Sequence, residues 1–290
     1  MTKAGKIKDQ LPTPRLREKA AGVVYEALGT KKKPQTMGAN APFLIDDSDR
    51  AWLVLNGSID IFYLRDGSVE SAKGIHGIRH QIVHLDKGDG LIGFAGIKSS
   101  HRILAVPSNG AEIFETTRSK ILKLGNKGGK IAAAVEELID VWIYQLIHGI
   151  GSSRPPRDSK PLTHGGDYEF GQGTAIQGMD RPIWIDIDKI EGGYNDIVPI
   201  ESKSSGGRFL PLTHDSWLRL DKDIKCHPIL TGAWFEKGDP IADLDFFNQI
   251  ALEVVNKTIA RIAEEHEERV NLKQRFGQQV FNTALRAMVG

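Results

Sequence analysis

The most constraining feature of this sequence is a pair of β-rich runs that meet at an Asn-Gly dipeptide. The runs AWLVL and SIDIFYL lie on either side of Asn56-Gly57, between residues 51 and 64. Asn-Gly between two such runs is the strongest short-range indication of a β-hairpin, because a type I′ turn needs positive φ at both central residues. The sequence therefore predicts that the two runs pair around Asn56-Gly57.

Further short strands follow, and a helix closes this part of the chain. Three apolar runs separated by Gly-rich turns lie at residues 78–85, 91–94 and 103–106. Apolar residues then recur at helical spacing over about residues 130–149, and Gly149 and Gly151 predict the end of that helix. An earlier helix is predicted over about residues 14–28. We therefore predict a first β-roll domain with helices over residues 14–150.

The second half repeats this organisation. The segment SSRPPR at residues 152–157 interrupts any helix and indicates a domain boundary. Short strands separated by Gly-rich turns are predicted around residues 168, 174–177, 183–187, 208–211 and 217–220. The pattern of a β-roll and a helix in each half is better evidence of repetition than the tetrapeptide PLTH, which occurs twice. We predict a second β-roll-like domain over residues 151–238.

Two terminal segments complete the predicted architecture. Residues 1–13 form a flexible basic tail, and residues 239–290 form a long helical connector. The connector carries an apolar stripe suited to binding a partner, with Phe247, Val254, Ile262 and Phe276 as the candidate contact residues. The fold class is α+β: two β-roll (cupin-like or cyclic-nucleotide-binding-like) domains with flanking helices and a long C-terminal helix.

The composition excludes several classes of protein. The only cysteine is Cys226, so the chain has no internal disulfide and no cysteine-based zinc site, which fits a reducing compartment. The formal net charge of +1 provides no overall attraction for nucleic acid or an anionic membrane. No run of about 20 apolar residues is present, so no direct membrane span is predicted.

The motifs of common enzymes are missing as well. The segment GNKGGK at residues 125–130 is too short for a phosphate-binding P-loop, and Ile131 replaces the Ser or Thr that would hold magnesium. Neither a GxSxG elbow nor an HExxH metal motif is present. We therefore predict that the protein is not an enzyme, with no catalytic residues, no metal and no cofactor.

The order of helix, paired strands, Gly-rich turns and closing helix resembles a cyclic-nucleotide-binding domain. That family binds its ligand with a Gly-Glu pair, whose Glu holds the ribose, and an Arg about nine residues later, which holds the cyclic phosphate. The stretch from Gly93 to Arg102 resembles this cassette, with Phe94 in place of the Glu and the Arg displaced by one position. The resemblance implies Gly93, Phe94 and Arg102 as ligand-binding candidates, without the carboxylate that would hold the ribose.

A longer resemblance covers most of the chain from about Leu16 onward. The segments that match, in order, are PFLIDD at 42–47, AWLV at 51–54, NGSIDIF at 56–62, RHQIV at 79–83, LAVP at 104–107 and PLT at 211–213. They resemble the N-terminal region of NHLM/NHLP-type bacteriocin ABC exporters. In that bacterial family the region precedes membrane helices and an ATPase domain, and the exported peptides carry nitrile-hydratase-like leaders. The resemblance supplies no catalytic residues.

The sequence therefore predicts a non-catalytic, cytoplasmic regulatory or docking module of a bacteriocin ABC export system, held at the inner face of the membrane by its partners. The expected partners are the membrane and ATPase domains of the transporter or a sister subunit, the leader peptide of the cargo, and a second copy of the chain. Two alternatives remain open. One is a cyclic-nucleotide or small-ligand sensor, and the other is a stand-alone assembly protein that oligomerises through its long helix.

Overall fold

The computed structural model describes a mixed helix and sheet protein rich in β-strands, as predicted, and the strands occur in both halves of the chain. The described residues are 12–29, 33–38, 41–65, 70–71, 74–75, 79–94, 101–151, 154–179, 181–188, 190–201 and 207–289. Their helices are α1 (Pro14–Ala27), α2 (Arg118–Gly125), α3 (Gly129–Ile150), α4 (Thr231–Lys237) and α5 (Pro240–Val289). Across this described part of the chain, no helix combines the length and the apolar character needed to cross a membrane.

The strands of the first half, here called the first roll, pair like the two arms of one long folded hairpin. They are β1 (Gln35–Met37), β2 (Phe43–Leu44), β3 (Arg50–Asn56), β4 (Ser58–Arg65), β5 (Glu70–Ser71), β6 (Gly74–Ile75), β7 (Arg79–Asp86), β8 (Gly90–Ile92), β9 (His101–Pro107) and β10 (Ala111–Thr117). The antiparallel pairs are nested, since β5 pairs with β6, β4 with β7, β3 with β8, β2 with β9 and β1 with β10. Rolling up this hairpin gives two four-stranded sheets, β1-β10-β3-β8 and β2-β9-β4-β7. That order is the strand order of a jelly roll.

The predicted hairpin at Asn56-Gly57 is wrong. The strands on either side of it, β3 and β4, lie in different sheets and do not pair. Gly57 has φ +74°, but Asn56 does not share the positive φ that a type I′ turn requires. Gly57 forms a corner at which the chain passes from one sheet to the other, and a Cβ there would lie 2.9 Å from the Cα of Ala111. Strand β3 therefore pairs with the distant strands β8 and β10, and the local preference of Asn-Gly for a hairpin turn does not decide its partner.

The strands of the second half, here called the second roll, repeat the same nesting. They are β11 (Lys160–Leu162), β12 (Tyr168–Phe170), β13 (Ala175–Gly178), β14 (Ile183–Asp186), β15 (Gly192–Tyr194), β16 (Val198–Ile200), β17 (Phe209–Leu212), β18 (Trp217–Leu220), β19 (Ile224–Cys226) and β20 (Ile229–Leu230). Here β15 pairs with β16, β14 with β17, β13 with β18 and β12 with β19. One sheet has the order β13-β18-β15-β16, with β11 added in parallel beside β13.

The other sheet of the second roll is interrupted at one strand. β19 pairs with β12, whereas β20, two residues later, pairs with β14. Taken together as one strand broken at His227-Pro228, they give the order β12-β19/β20-β14-β17, which matches β1-β10-β3-β8 of the first roll. Pro228 has no N–H with which to continue the ladder, and its carbonyl accepts a hydrogen bond from the backbone N–H of Gly165 at 3.2 Å.

Helix α3 packs between the two rolls. On the side of the first roll, Trp142 is fully buried and meets Phe94 edge to face, with ring centroids 5.6 Å apart. On the side of the second roll, the carboxylate of Asp140 accepts hydrogen bonds from the Thr231 hydroxyl and from Arg181, whose Nε lies 2.9 Å away. The helix ends at Ile150 with Gly151 as its C-cap, in agreement with the predicted end at Gly149 and Gly151.

Asp140 gives the protein a pH-dependent stability that a substitution can isolate. Burial raises the pKa of Asp140 to about 6, against the lowering effects of Arg181 and Thr231. A carboxyl with a pKa raised on folding favours the folded state while protonated, so its contribution falls by about 3 kcal/mol as the pH rises from about 4 to about 6. The quantity to compare is the free energy of unfolding of the natural chain minus that of Asp140→Asn. We expect this difference to fall between about pH 4 and about pH 6 and to stay constant at higher pH.

Urea denaturation of both chains between pH 4 and pH 7 measures that difference. Glu137, whose pKa is also raised by burial, faces the same Arg181 and is retained in both chains. Taking the difference therefore removes most of its contribution. A difference that does not change between pH 4 and pH 6 would contradict the assignment.

Candidate functional site

A cavity of about 620 Å³ opens in the second roll where the strand breaks. Its walls come from the end of β14, the start of β17, strand β19 and the first residue of β20. In an unbroken sheet β19 would pair with the end of β14, and the break leaves a space between them. This volume is typical of sites that bind small molecules or short peptide segments. The only local sign of the break in the sequence is Pro228, and no local pattern indicates the cavity that results.

The floor of the cavity is apolar. Ile190, Phe209, Ile224 and Ile229 line it, and each has an exposed fraction of 7% or less. The thiol of Cys226 lies beside them, and burial raises its pKa to about 11. At neutral pH this thiol is therefore protonated, which makes it a weak nucleophile. The floor suits the binding of an apolar group and gives no support to covalent catalysis.

The mouth of the cavity is charged. Arg208 donates two hydrogen bonds to one oxygen of Asp186, from Nη2 at 2.6 Å and from Nε at 2.9 Å. The Oδ2 of Asp188 lies 3.6 Å from the same Nε. The hydrogen bond and charge of Asp186 raise the pKa of Arg208 further above its ordinary value, so the guanidinium is charged at every physiological pH. These ion pairs are exposed and neutralise one side of the mouth.

Polar groups from β19 and α4 complete the mouth. His227 Nδ1 lies 2.9 Å from Asp167 Oδ1, and Lys225 forms an ion pair with Glu169. Lys237 also lies at the mouth, and no ion pair is found for it among the described residues. Over the residues that the structure describes, no group of His, Cys, Asp and Glu side chains is arranged to hold a metal ion. The arrangement provides an apolar floor with a charged rim, which is suited to binding.

One wall of the cavity is fixed by a buried carboxylate on α5. The Oδ1 of Asp243 accepts hydrogen bonds from the backbone N–H groups of Arg208 at 2.6 Å and Phe209 at 2.9 Å. Its Oδ2 accepts a third from Trp234 Nε1 at 2.8 Å. Asp243 has no exposed surface, and burial raises its pKa despite these three donors. The position of the β17 wall therefore depends on the first turn of α5.

The same helix also contacts the first roll. The fully buried Asn248 donates a hydrogen bond from Nδ2 to the carbonyl of Gly93 at 3.1 Å. Asp245 pairs with both terminal nitrogens of the nearly buried Arg118. One helix therefore carries buried hydrogen bonds both to the β17 wall and to the first roll.

Two of the three ligand-binding residues predicted in the first roll, Gly93 and Phe94, have packing roles in the structure. Gly93 lies so close to the loop between β2 and β3 that a Cβ on it would be 2.3 Å from the carbonyl oxygen of Asp47. Phe94 is 2% exposed and packs on Trp142. Arg102 lies on β9, opposite Leu64. The structure gives Phe94 a core position, and a ligand role for these residues stays a prediction.

The predicted contact residues of the helical connector fall into two groups. Phe247 and Val254 have no exposed surface, because the N-terminal half of α5 packs on the two rolls. They are core residues of this chain and do not form a free surface for a partner. Ile262 is 53% exposed and remains a candidate contact residue. Phe276 lies on α5, but its side chain is outside the described residues.

The chain is similar to several solved structures, at low sequence identity. No family model matches the chain, and no curated protein matches it. A mutant of CooA from Carboxydothermus hydrogenoformans is similar at 12% identity with a TM-score of 0.32, over 50% of this chain and 87% of that one. Unbound oxidised CprK is similar at 10% identity with a TM-score of 0.31, over 57% and 75%. The Thermus thermophilus catabolite activator protein is similar at 16% identity with a TM-score of 0.27, over 43% and 53%. TM-scores this low do not assign the chain to a family.

Proposed function

We propose that this protein is a non-catalytic, ligand-responsive module, in which the second-roll cavity binds the ligand and α5 carries the response. The observation that supports this most directly is the position of Asp243. It holds the backbone of Arg208 and Phe209, which line the cavity, and it belongs to the helix that also contacts the first roll. A ligand that moves the β17 wall changes the contacts of α5, so binding alters the surface that α5 presents.

This proposal places the sensor site in a different roll from the one that the cyclic-nucleotide resemblance implies. Gly93 itself lies against the backbone carbonyls of Asp47, Ser48 and Arg50, whereas the second roll has a cavity of about 620 Å³. The cavity also combines an apolar floor with a rim of both charges, as binding sites commonly do.

Arg208 provides the test. We expect Arg208→Ala to lower the affinity for a cavity ligand by about tenfold or more, because one side of the mouth is lost and two carboxylates lose their counter-ion. A thermal-shift screen of the full chain with metabolites, including cyclic nucleotides and ATP, identifies compounds that raise the melting temperature. For each such compound, the rise in melting temperature of Arg208→Ala is then compared with the rise in melting temperature of the natural chain.

Arg219→Ala is the matched control. Arg219 lies in the same roll and also pairs twice with one aspartate, Asp196, at 2.8 and 2.9 Å, but it does not line the cavity. The control is expected to retain the ligand-induced shift. A shift of the same size in Arg208→Ala and Arg219→Ala would place the ligand elsewhere.

A second candidate function is a docking module of a peptide-exporting ABC transporter. It is supported by the resemblance of the chain to the N-terminal region of such exporters and by the exposed part of α5. Helix α5 is 50 residues long, about 75 Å, and its last buried described residue is Ile259. The described side chains that follow Ile259 on this helix, including Ile262, are mostly exposed and offer a surface to another helix.

A photo-crosslinking residue at Ile262 tests this second function. Expressed with the transporter subunits, the chain is expected to form a crosslink to one of them when it is a docking module. A crosslink only between two copies of the chain would favour the assembly alternative. A photo-crosslinker at the buried Phe247 serves as the control and is expected to react only within the chain.

A further inference from the structure

We propose that the ligand of the second-roll cavity is an extended peptide segment, which binds as an added strand against the free edge of β19. This proposal rests on the proposed function, since it specifies the ligand of the same cavity. Its starting point is the strand break at His227-Pro228. Beyond the break, β20 completes the ladder with β14, while β12 is the one described strand that pairs with β19.

The free edge of β19 faces the cavity. In an antiparallel ladder, residues along a strand direct their N–H and C=O groups alternately to one neighbour and to the other. One set of these groups on β19 is bonded to β12, and no described strand lies on the other side. The cavity therefore contains peptide groups of the kind that an incoming strand pairs with, in addition to side chains.

The side chains of β19 show how a bound peptide would be oriented. Ile224 and Cys226 are buried and face the floor, whereas the side chain of Lys225 is 81% exposed. Side chains of a paired strand alternate in the same way, so every second residue of the peptide faces the floor formed with Ile190 and Ile229. The structure thus favours a peptide whose inward residues are apolar and whose outward residues are polar.

The charges at the mouth favour a peptide over a phosphate-bearing metabolite. Arg208 is already paired with Asp186 and approached by Asp188, and Lys225 is paired with Glu169. Lys237 has no ion pair among the described residues, but the carboxylates of Asp186, Asp188 and Asp223 line the same cavity. A phosphate needs cations that the protein has not already neutralised, and it is repelled by carboxylates. A peptide needs few net charges, because its backbone groups supply the contacts.

The test uses Cys226, which is the only cysteine and lines the cavity. Heptapeptides are selected from a random phage-displayed library on the full chain, and the selected sequences are synthesised. At saturation we expect them to slow alkylation of Cys226 by N-ethylmaleimide at least tenfold. Each peptide is then N-methylated at one position at a time. Methylation at every second position is expected to weaken binding at least tenfold, and methylation at the positions between should leave the affinity within about threefold.

The outcomes separate this proposal from the function on which it rests. Peptides that protect Cys226 without the alternating effect of N-methylation would overturn strand addition. Protection of Cys226 by a metabolite and by no peptide would overturn the peptide class while leaving a ligand-responsive cavity. If neither peptides nor metabolites protect Cys226, both proposals fail.

Discussion

Replacing Asp243 with alanine is expected to lower the free energy of unfolding by about 3–5 kcal/mol. The substitution leaves the backbone N–H groups of Arg208 and Phe209 and the indole N–H of Trp234 without their acceptor, and Phe209 and Trp234 are buried. Each buried donor that loses its partner costs about 1–3 kcal/mol. Denaturation in urea, monitored by tryptophan fluorescence, measures the loss, because Trp234 is stacked on Trp184 with ring centroids 3.9 Å apart.

Asp239→Ala is the matched control for this experiment. Asp239 is exposed, and its carboxylate accepts hydrogen bonds from the backbone N–H groups of Ile241 and Ala242 at the start of the same helix. Its loss is expected to cost about 1 kcal/mol, as for an ordinary helix cap. If the two substitutions cost the same, Asp243 does not hold the β17 wall in the way described.

Gly149→Ala is expected to lower the free energy of unfolding by about 3 kcal/mol. A Cβ at this position would lie 1.6 Å from the carbonyl oxygen of Ile82 and 2.7 Å from its carbonyl carbon. Both atoms belong to the backbone of β7, so neither can move aside as a flexible side chain does. Helix α3 would have to shift away from the first roll, and shifts of this kind in a packed core cost roughly 1–3 kcal/mol or more. Urea denaturation again gives the value.

The same substitution at Gly22 is expected to have the opposite sign. Gly22 lies within α1, and a Cβ there meets nothing within 4 Å. Because alanine is the better helix former, Gly22→Ala should stabilise the protein by about 0.5–1 kcal/mol. Equal effects at the two glycines would show that α3 does not approach β7 as closely as described.

The sequence predicts the positions of many strands better than their partners. The apolar runs around Asn56-Gly57 do form β3 and β4, but the two strands belong to different sheets. Strand formation depends on residue type and alternation, which are local, whereas the pairing in a jelly roll joins residues as far apart as β1 and β10. Gly149 illustrates the same limit, since the sequence suggests a helix end and the structure shows a close contact with Ile82.

The candidate site was less accessible to sequence analysis than the fold. A motif resemblance indicates Gly93 and Phe94 as ligand-binding residues, whereas in the structure Phe94 is a core residue and Gly93 lies against the backbone of Asp47. The cavity in the second roll depends on one interrupted strand and on residues from four separate segments. Arg208 and Asp186, at its mouth, are 22 residues apart and carry no motif. The sequence does not distinguish a helix face buried in its own chain from a face that binds a partner. Both show apolar residues at helical spacing, as Phe247 and Val254 do.

Helix α5 has a consequence for the order in which the protein is completed during synthesis. It follows both rolls in the chain, yet it supplies Asn248 to Gly93 and Asp243 to β17. The strands of both rolls therefore leave the ribosome before α5 does. Until α5 is synthesised, the carbonyl of Gly93 and the backbone N–H groups of Arg208 and Phe209 lack these hydrogen-bond partners. The contacts of α5 with the first roll and with β17 therefore form in the same late event, after the strands of both rolls have been synthesised.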